Sequence, residues 1–115
     1  MLLQILKSKI HRCKVTGIEP DYEGSLSIDV TLMKKADIIE NEKLLVANMR
    51  TGDRFETYAI SSNKKGEVCV NGAAAKLCRK GDELIVMAFA LMDKKTLKNF
   101  KPHIVRVDSN NNPLS

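Results

Sequence analysis

Arg54-Phe55-Glu56-Thr57-Tyr58-Ala59-Ile60 alternates along its length. Arg54, Glu56, Tyr58 and Ile60 fall on one face of an extended chain, and Phe55, Thr57 and Ala59 on the other. A period of two is that of a strand, and the segments on either side repeat the signal. Upstream, Arg50-Thr51-Gly52-Asp53 is a turn, preceded by the apolar strand Lys43 to Asn48. Downstream, Ser61 to Gly66 is a polar loop and Glu67 to Val70 a short strand. That strand runs into Asn71-Gly72-Ala73-Ala74-Ala75, where Asn-Gly turns the chain and the alanines favour a short helix. The first N–H groups of such a helix are free and suit a carboxylate.

The remaining segments read the same way. Gly81-Asp82 turns into Glu83 to Met92, the most apolar run and the expected central strand. Asp93 caps a helical turn reaching Phe100, Pro102 stops it, and His103 to Val107 forms the last strand. Near the N-terminus, Lys9 to Thr16 alternates, with Lys9, His11, Cys13 and Val15 on one face and Ile10, Arg12, Lys14 and Thr16 on the other. Gly17 to Ser25 is a loop, Leu26 to Val30 a short strand, and Asp29 or Thr31 caps a helix over Leu32 to Ile39 with Leu32, Ala36 and Ile39 on one side. The polar tail, residues 108–115, is expected to fray. The sum is a mainly β chain of six or seven short strands with two or three short helices, which suggests a small closed barrel.

At 115 residues the chain is long enough for one domain, 1–115, with a small core. Its 43% hydrophobic and 29% charged content belongs to a soluble globular protein. No apolar run is long enough to span a bilayer, and the N-terminus becomes charged too soon for a signal peptide, so the expected location is cytoplasmic. Three cysteines, Cys13, Cys69 and Cys78, are odd in number and lack metal-type spacing. They read as reduced, packed thiols, and no metal site is expected. A net charge of +5 suits nucleic acid or a small anionic substrate, but 4% aromatic content without Trp disfavours a base-stacking surface. No catalytic triad or phosphate-binding loop is present.

One polar stretch, Asp21-Tyr22-Glu23-Gly24-Ser25, carries a specific chemistry. A serine hydroxyl attacks the carbonyl of the residue before it when the backbone is strained and exposed. Glycine suits that preceding position because it lacks a Cβ. The amide becomes an ester. Loss of the Ser25 α-proton then expels the acylated oxygen, and the resulting dehydroalanine hydrolyses to a pyruvoyl group. Such a ketone forms a Schiff base with an amine and acts as an electron sink. Gly-Ser is also among the commonest turn dipeptides, so the surrounding residues must carry the case.

They do so as a colinear set: Lys9-Ile10-His11-Arg12, Val15-Thr16, Tyr22-Glu23-Gly24-Ser25, Ile28-Asp29, Asn41-Glu42, Arg54, Thr57-Tyr58-Ala59-Ile60, Val70-Asn71-Gly72-Ala73-Ala74-Ala75 and Gly81-Asp82. In their order and spacing, from about Leu3 to Val107, the chain closely resembles the bacterial pyruvoyl-dependent aspartate 1-decarboxylases. The resemblance implies a double-psi β-barrel, a homotetramer with sites at subunit interfaces, and conversion of L-aspartate to β-alanine and carbon dioxide in pantothenate and coenzyme A synthesis. It implies cleavage between Gly24 and Ser25 into 1–24 and 25–115, with Ser25 becoming the covalent pyruvoyl cofactor. Tyr58 would donate the proton, Arg54 and Lys9 would hold substrate carboxylate, and Gly72, Ala73 and Ala74 would give backbone contacts. Thr57 would polarise the Gly24 carbonyl during cleavage and then touch substrate, while His11, Tyr22 and Asn71 would shape the pocket. Alternation puts Thr57 and Tyr58 on opposite faces, so a bulge or a site shared between subunits is expected. Ala47 and Ser8 stand where many members carry a larger residue and a glycine. The rivals are a small basic barrel that binds RNA or single-stranded DNA and an oligomeric barrel without catalysis; no nucleic-acid or membrane partner is expected under the enzyme reading.

Overall fold

A computed structural model describes residues 1–114. Its strands are β1 (Leu2–Lys14), β2 (Gly17–Glu19), β3 (Leu26–Asp29), β4 (Lys43–Asn48), β5 (Arg54–Ser62), β6 (Val68–Asn71), β7 (Glu83–Asp93) and β8 (His103–Arg106). One α-helix, α1 (Val30–Lys35), and two short 3₁₀ helices, Gly72–Leu77 and Lys94–Thr96, complete it. The strands form a single sheet in the order β2-β6-β3-β5-β4-β7-β1-β8. Three pairs are parallel, β1 with β8, β2 with β6 and β3 with β5, and the rest antiparallel. The sheet is that of a small double-psi β-barrel. The eighth strand, β2, lies inside the stretch expected to be a loop. Three residues are too few to show a period, and β2 exists only because it pairs with Cys69–Asn71.

Ile10, Leu26, Ile28, Leu32, Leu44, Val46, Val68, Val70, Leu84 and Val86 form the centre of one hydrophobic cluster. Burial of each aliphatic side chain contributes about 1.5–3 kcal/mol relative to leaving it in water. β7 lies between β1 and β4, the central place its apolar sequence suggests. Cys13, Cys69 and Cys78 are buried free thiols, and burial pushes Cys13 up to about 12.

Three local expectations are corrected. The alternation in β1 breaks at Arg12, which takes φ +65° while the β1–β7 register slips between His11 and Cys13. This bulge inserts one unpaired residue, so Ile10 and Cys13 both enter the core and His11 does not share a face with Cys13. α1 stops at Lys35, because Asp37 adopts φ +54°; Ile38 is buried in place of Ile39, which is exposed. Asp29 does cap α1, its carboxylate accepting from the Thr31 N–H at 2.8 Å. The tail is also tied down. Asn111 is buried, its amide donating to the Lys14 and Gly66 carbonyls at 2.8 and 2.9 Å while its Oδ1 accepts from the Lys14 N–H. Ser115 lies outside the described residues. Of the two unusual positions, Ala47 is directly across from Arg54, and Ser8 is fully buried with a hydroxyl that has no partner among the described residues.

Candidate active site

The chain reaches β3 through Gly24 at φ +117° and Ser25 at φ +88°. Glycine tolerates this region, but a serine there carries strain on the order of 1–3 kcal/mol. The strain persists because three contacts hold the junction. The Asn71 backbone N–H donates to the Ser25 carbonyl at 3.0 Å, continuing the β3–β6 ladder by one rung. The Asn71 side-chain amide donates to Ser25 Oγ at 3.0 Å. Gly72, itself at φ +69°, presses against the loop so closely that a Cβ there would lie 2.7 Å from the Gly24 Cα and 3.1 Å from the Tyr22 carbonyl oxygen. The Asn71-Gly72 step is therefore more than a turn signal. It forms the wall against which Gly24-Ser25 is held.

Over this junction lies an open cleft of about 480 Å³ lined by Asp21, Tyr22, Glu23, Gly24, Ser25, Ser27, Tyr58, Ile60 and Asn71. Tyr58 reaches it from β5, and a methyl added at Gly24 would lie 3.9 Å from the Tyr58 hydroxyl. Tyr22 and Tyr58 are partly exposed, while Ser25 and Asn71 are buried. Thus five expected residues, Tyr22, Gly24, Ser25, Tyr58 and Asn71, converge. Ser27 joins them without having been singled out, although it sits two positions from Ser25 on a strand and so shares its face.

The other expected residues do not line this cleft. Thr57 points from the opposite face of β5, across from Leu44, and the pairing of β5 with β3 and β4 shows no register shift. A bulge therefore does not turn Thr57 toward Tyr58 within one chain. Arg54 shares the face of Tyr58, but four residues of strand separate the two by about 13 Å. Ala73 and Ala74 follow Gly72 in the 3₁₀ helix, outside the lining. Lys9 and His11 are on β1, four strands along the sheet from β3. His11 lines a separate groove of about 380 Å³ with Arg12, Lys14, Glu83 and Arg106. Its Nδ1 is buried without a partner among the described residues, and burial followed by the charges of Lys9, Arg106 and Arg12 lowers its pKa. Among the described residues there is no cluster of metal-ligating side chains and no helix long and apolar enough to cross a membrane.

Comparison with known proteins points the same way along the whole chain. The family model described as aspartate decarboxylase matches residues 1–114. The aspartate 1-decarboxylase of Thermoanaerobacter pseudethanolicus is 48% identical over 112 residues, covering 96% of each chain. Those of Campylobacter jejuni and Caldicellulosiruptor bescii are 49% and 50% identical, over 96% of this chain and 88% of theirs.

Proposed function

The chain belongs to the aspartate decarboxylase family, and from that premise we propose that it decarboxylates L-aspartate to β-alanine in pantothenate synthesis, using a pyruvoyl group made from its own Ser25. The observation that carries this reading is the junction itself. Gly24 and Ser25 both hold positive φ, and the Ser25 hydroxyl is held on Asn71. These residues fit the chemistry of forming the group. Ser25 Oγ bonds to the Gly24 carbonyl carbon, the Gly24–Ser25 C–N bond breaks, and the hydroxyl proton ends on the Ser25 nitrogen. Loss of the Ser25 α-proton then breaks the Cβ–O bond and frees the Gly24 carboxylate. Water displaces ammonia from the dehydrated residue. One domain, 1–115, becomes two chains, 1–24 and 25–115.

A pyruvoyl ketone supplies an electron sink for the carbon–carbon bond that breaks on loss of carbon dioxide. The side chains supply direction and a proton. Aspartate has two carboxylates, and an enzyme that removes one must fix the other. Arg54 does so through its planar fork, with Lys9 adding charge. Tyr58, which reaches the cleft beside Gly24, gives the proton to Cα. Gly72, Ala73 and Ala74 offer backbone contacts, Thr57 polarises the Gly24 carbonyl, and His11 and Tyr22 shape the walls. Lys9, Arg54, His11 and Thr57 do not line the cleft of one chain. In this reading a neighbouring protomer of a homotetramer completes the site. A cytoplasmic location belongs to the same reading.

The test is the intact mass of the purified chain together with a β-alanine assay. The expected result is two fragments, 1–24 and 25–115, with loss of ammonia from the second, and β-alanine released from L-aspartate. A chain that stays whole through prolonged warm incubation sinks the proposal.

A further inference from the structure

Asn71 stands opposite Ser25 one rung beyond the last β3–β6 pair, and Cys69 stands directly opposite Ser27. The two pairs are two residues apart on each strand, so all four side chains share one face of the sheet. On that face the Asn71 amide donates to Ser25 Oγ and Ser27 Oγ, both at 3.0 Å, and the Cys69 thiol donates to Asn71 Oδ1 at 3.4 Å. We propose that Ser27 and Cys69 are positioning residues for self-cleavage, acting through Asn71 to aim the Ser25 hydroxyl. This inference rests on the cleavage reading above.

The argument concerns which way the amide faces. A hydroxyl accepts a hydrogen bond as readily as it donates one, so two serines alone would allow the Asn71 carboxamide to turn over. With the amide reversed, Ser25 would donate its proton to Oδ1 and point its lone pairs elsewhere. Cys69 opposes that reversal, because its sulfur is a weak acceptor and offers a turned –NH₂ group little. Its thiol is buried, and burial raises its pKa, so it keeps its proton and remains a donor to Oδ1. Ser27 takes the second amide hydrogen and prevents the –NH₂ group from swinging away from the loop. Ser25 Oγ is then pinned through a lone pair while its own proton stays uncommitted. That proton is the one that must leave Oγ for the Ser25 nitrogen when the C–N bond breaks.

The test follows the splitting of freshly purified full-length chain by intact mass, alongside its melting temperature. Wild type, Ser27→Ala, Ser27→Thr, Cys69→Val and Cys69→Ser are compared. Loss of one hydrogen bond that aims the nucleophile is expected to slow splitting about five- to tenfold in Ser27→Ala and Cys69→Val. Ser27→Thr, which keeps the hydroxyl, is expected to restore the rate, and Cys69→Ser, whose hydroxyl can donate to Oδ1 but can also accept, to restore it in part. Equal rates in wild type, Ser27→Ala and Cys69→Val would overturn the inference. So would slowing that merely tracks a lower melting temperature and is not restored by Cys69→Ser, since that is the behaviour of a packing role. Wild type that never splits refutes the cleavage reading itself, and this inference with it.

Discussion

Two buried asparagines each sit at the centre of a hydrogen-bonded cluster, and they hold very different things. Asn48 donates its amide to the Asp82 carboxylate and the Leu77 carbonyl, at 2.9 and 3.0 Å, and accepts from the Arg50 N–H at 2.9 Å. Asp82 in turn accepts from Arg50 Nε and Nη2 and from the Arg79 N–H. Every partner is spoken for, and two of them are charged. Asn71 instead holds two hydroxyls whose own protons are unassigned, next to a serine at φ +88°. The neighbouring glycines repeat the contrast. Gly52, in the turn after Asn48, has open space where a Cβ would go, whereas Gly72 is in contact with Gly24. A saturated network resists change, whereas a strained junction with unspent hydrogen-bonding capacity is poised for it.

The sharpest way to break this comparison is to remove the nucleophile. Ser25→Ala is expected to stay a single chain by mass and to form no β-alanine. Tyr58→Phe separates the two chemistries. It should split as wild type does, yet lose about 10²- to 10⁴-fold in turnover, the usual worth of a positioned acid; wild-type turnover would mean that another group gives the proton. Gly72→Ala and Gly52→Ala form a matched pair, since both replace a glycine at positive φ. The first must also displace the Gly24 loop, so it is expected to cost about 1–3 kcal/mol more in unfolding free energy than the second and to disturb splitting, which Gly52→Ala leaves alone.

The smallest expected effect belongs to the saturated cluster. The Arg50 guanidinium holds the Asp82 carboxyl well below the usual carboxylate range. A depressed acid contributes stability above its unfolded pKa and loses it as pH falls through the folded value. Melting temperature should therefore drop on acidification below about pH 4. In Asp82→Asn that part of the acid slope should flatten, at a cost of about 1–3 kcal/mol near neutral pH. Splitting per folded molecule should be unchanged, because Asp82 touches nothing in the Ser25 cleft. An Asp82→Asn chain that folds but splits slowly would show that the two clusters are coupled.

Much of the barrel was legible beforehand because strand periodicity is local. The alternation over Arg54 to Ile60, the apolar run of β7 and the Asp29 cap depend on a few residues each, and all three stand in the structure. Apart from the early end of α1, which the left-handed Asp37 sets locally, the failures share one cause. Arg12 left-handed in a bulge, β2 drawn onto β6, and Asn111 bonded to Lys14 and Gly66 each depend on a partner far away in sequence. The site divides in the same way. Gly24-Ser25 was visible as a dipeptide, and its colinear neighbours made the family resemblance specific. Ser27 was passed over and Cys69 was read only as a packed thiol, because nothing in their own segments says that they face Asn71.

From the residues alone came the strand-rich class, the glycine-serine junction and the kinship with the aspartate decarboxylases. Only the folded chain decided that Asn71 stands opposite Ser25, that Gly72 wedges against Gly24, and that Lys9 and Arg54 stay out of the cleft. The physical reason is that side-chain period follows from each residue's own dihedral angles. Cross-strand register instead depends on which distant apolar faces can be buried together.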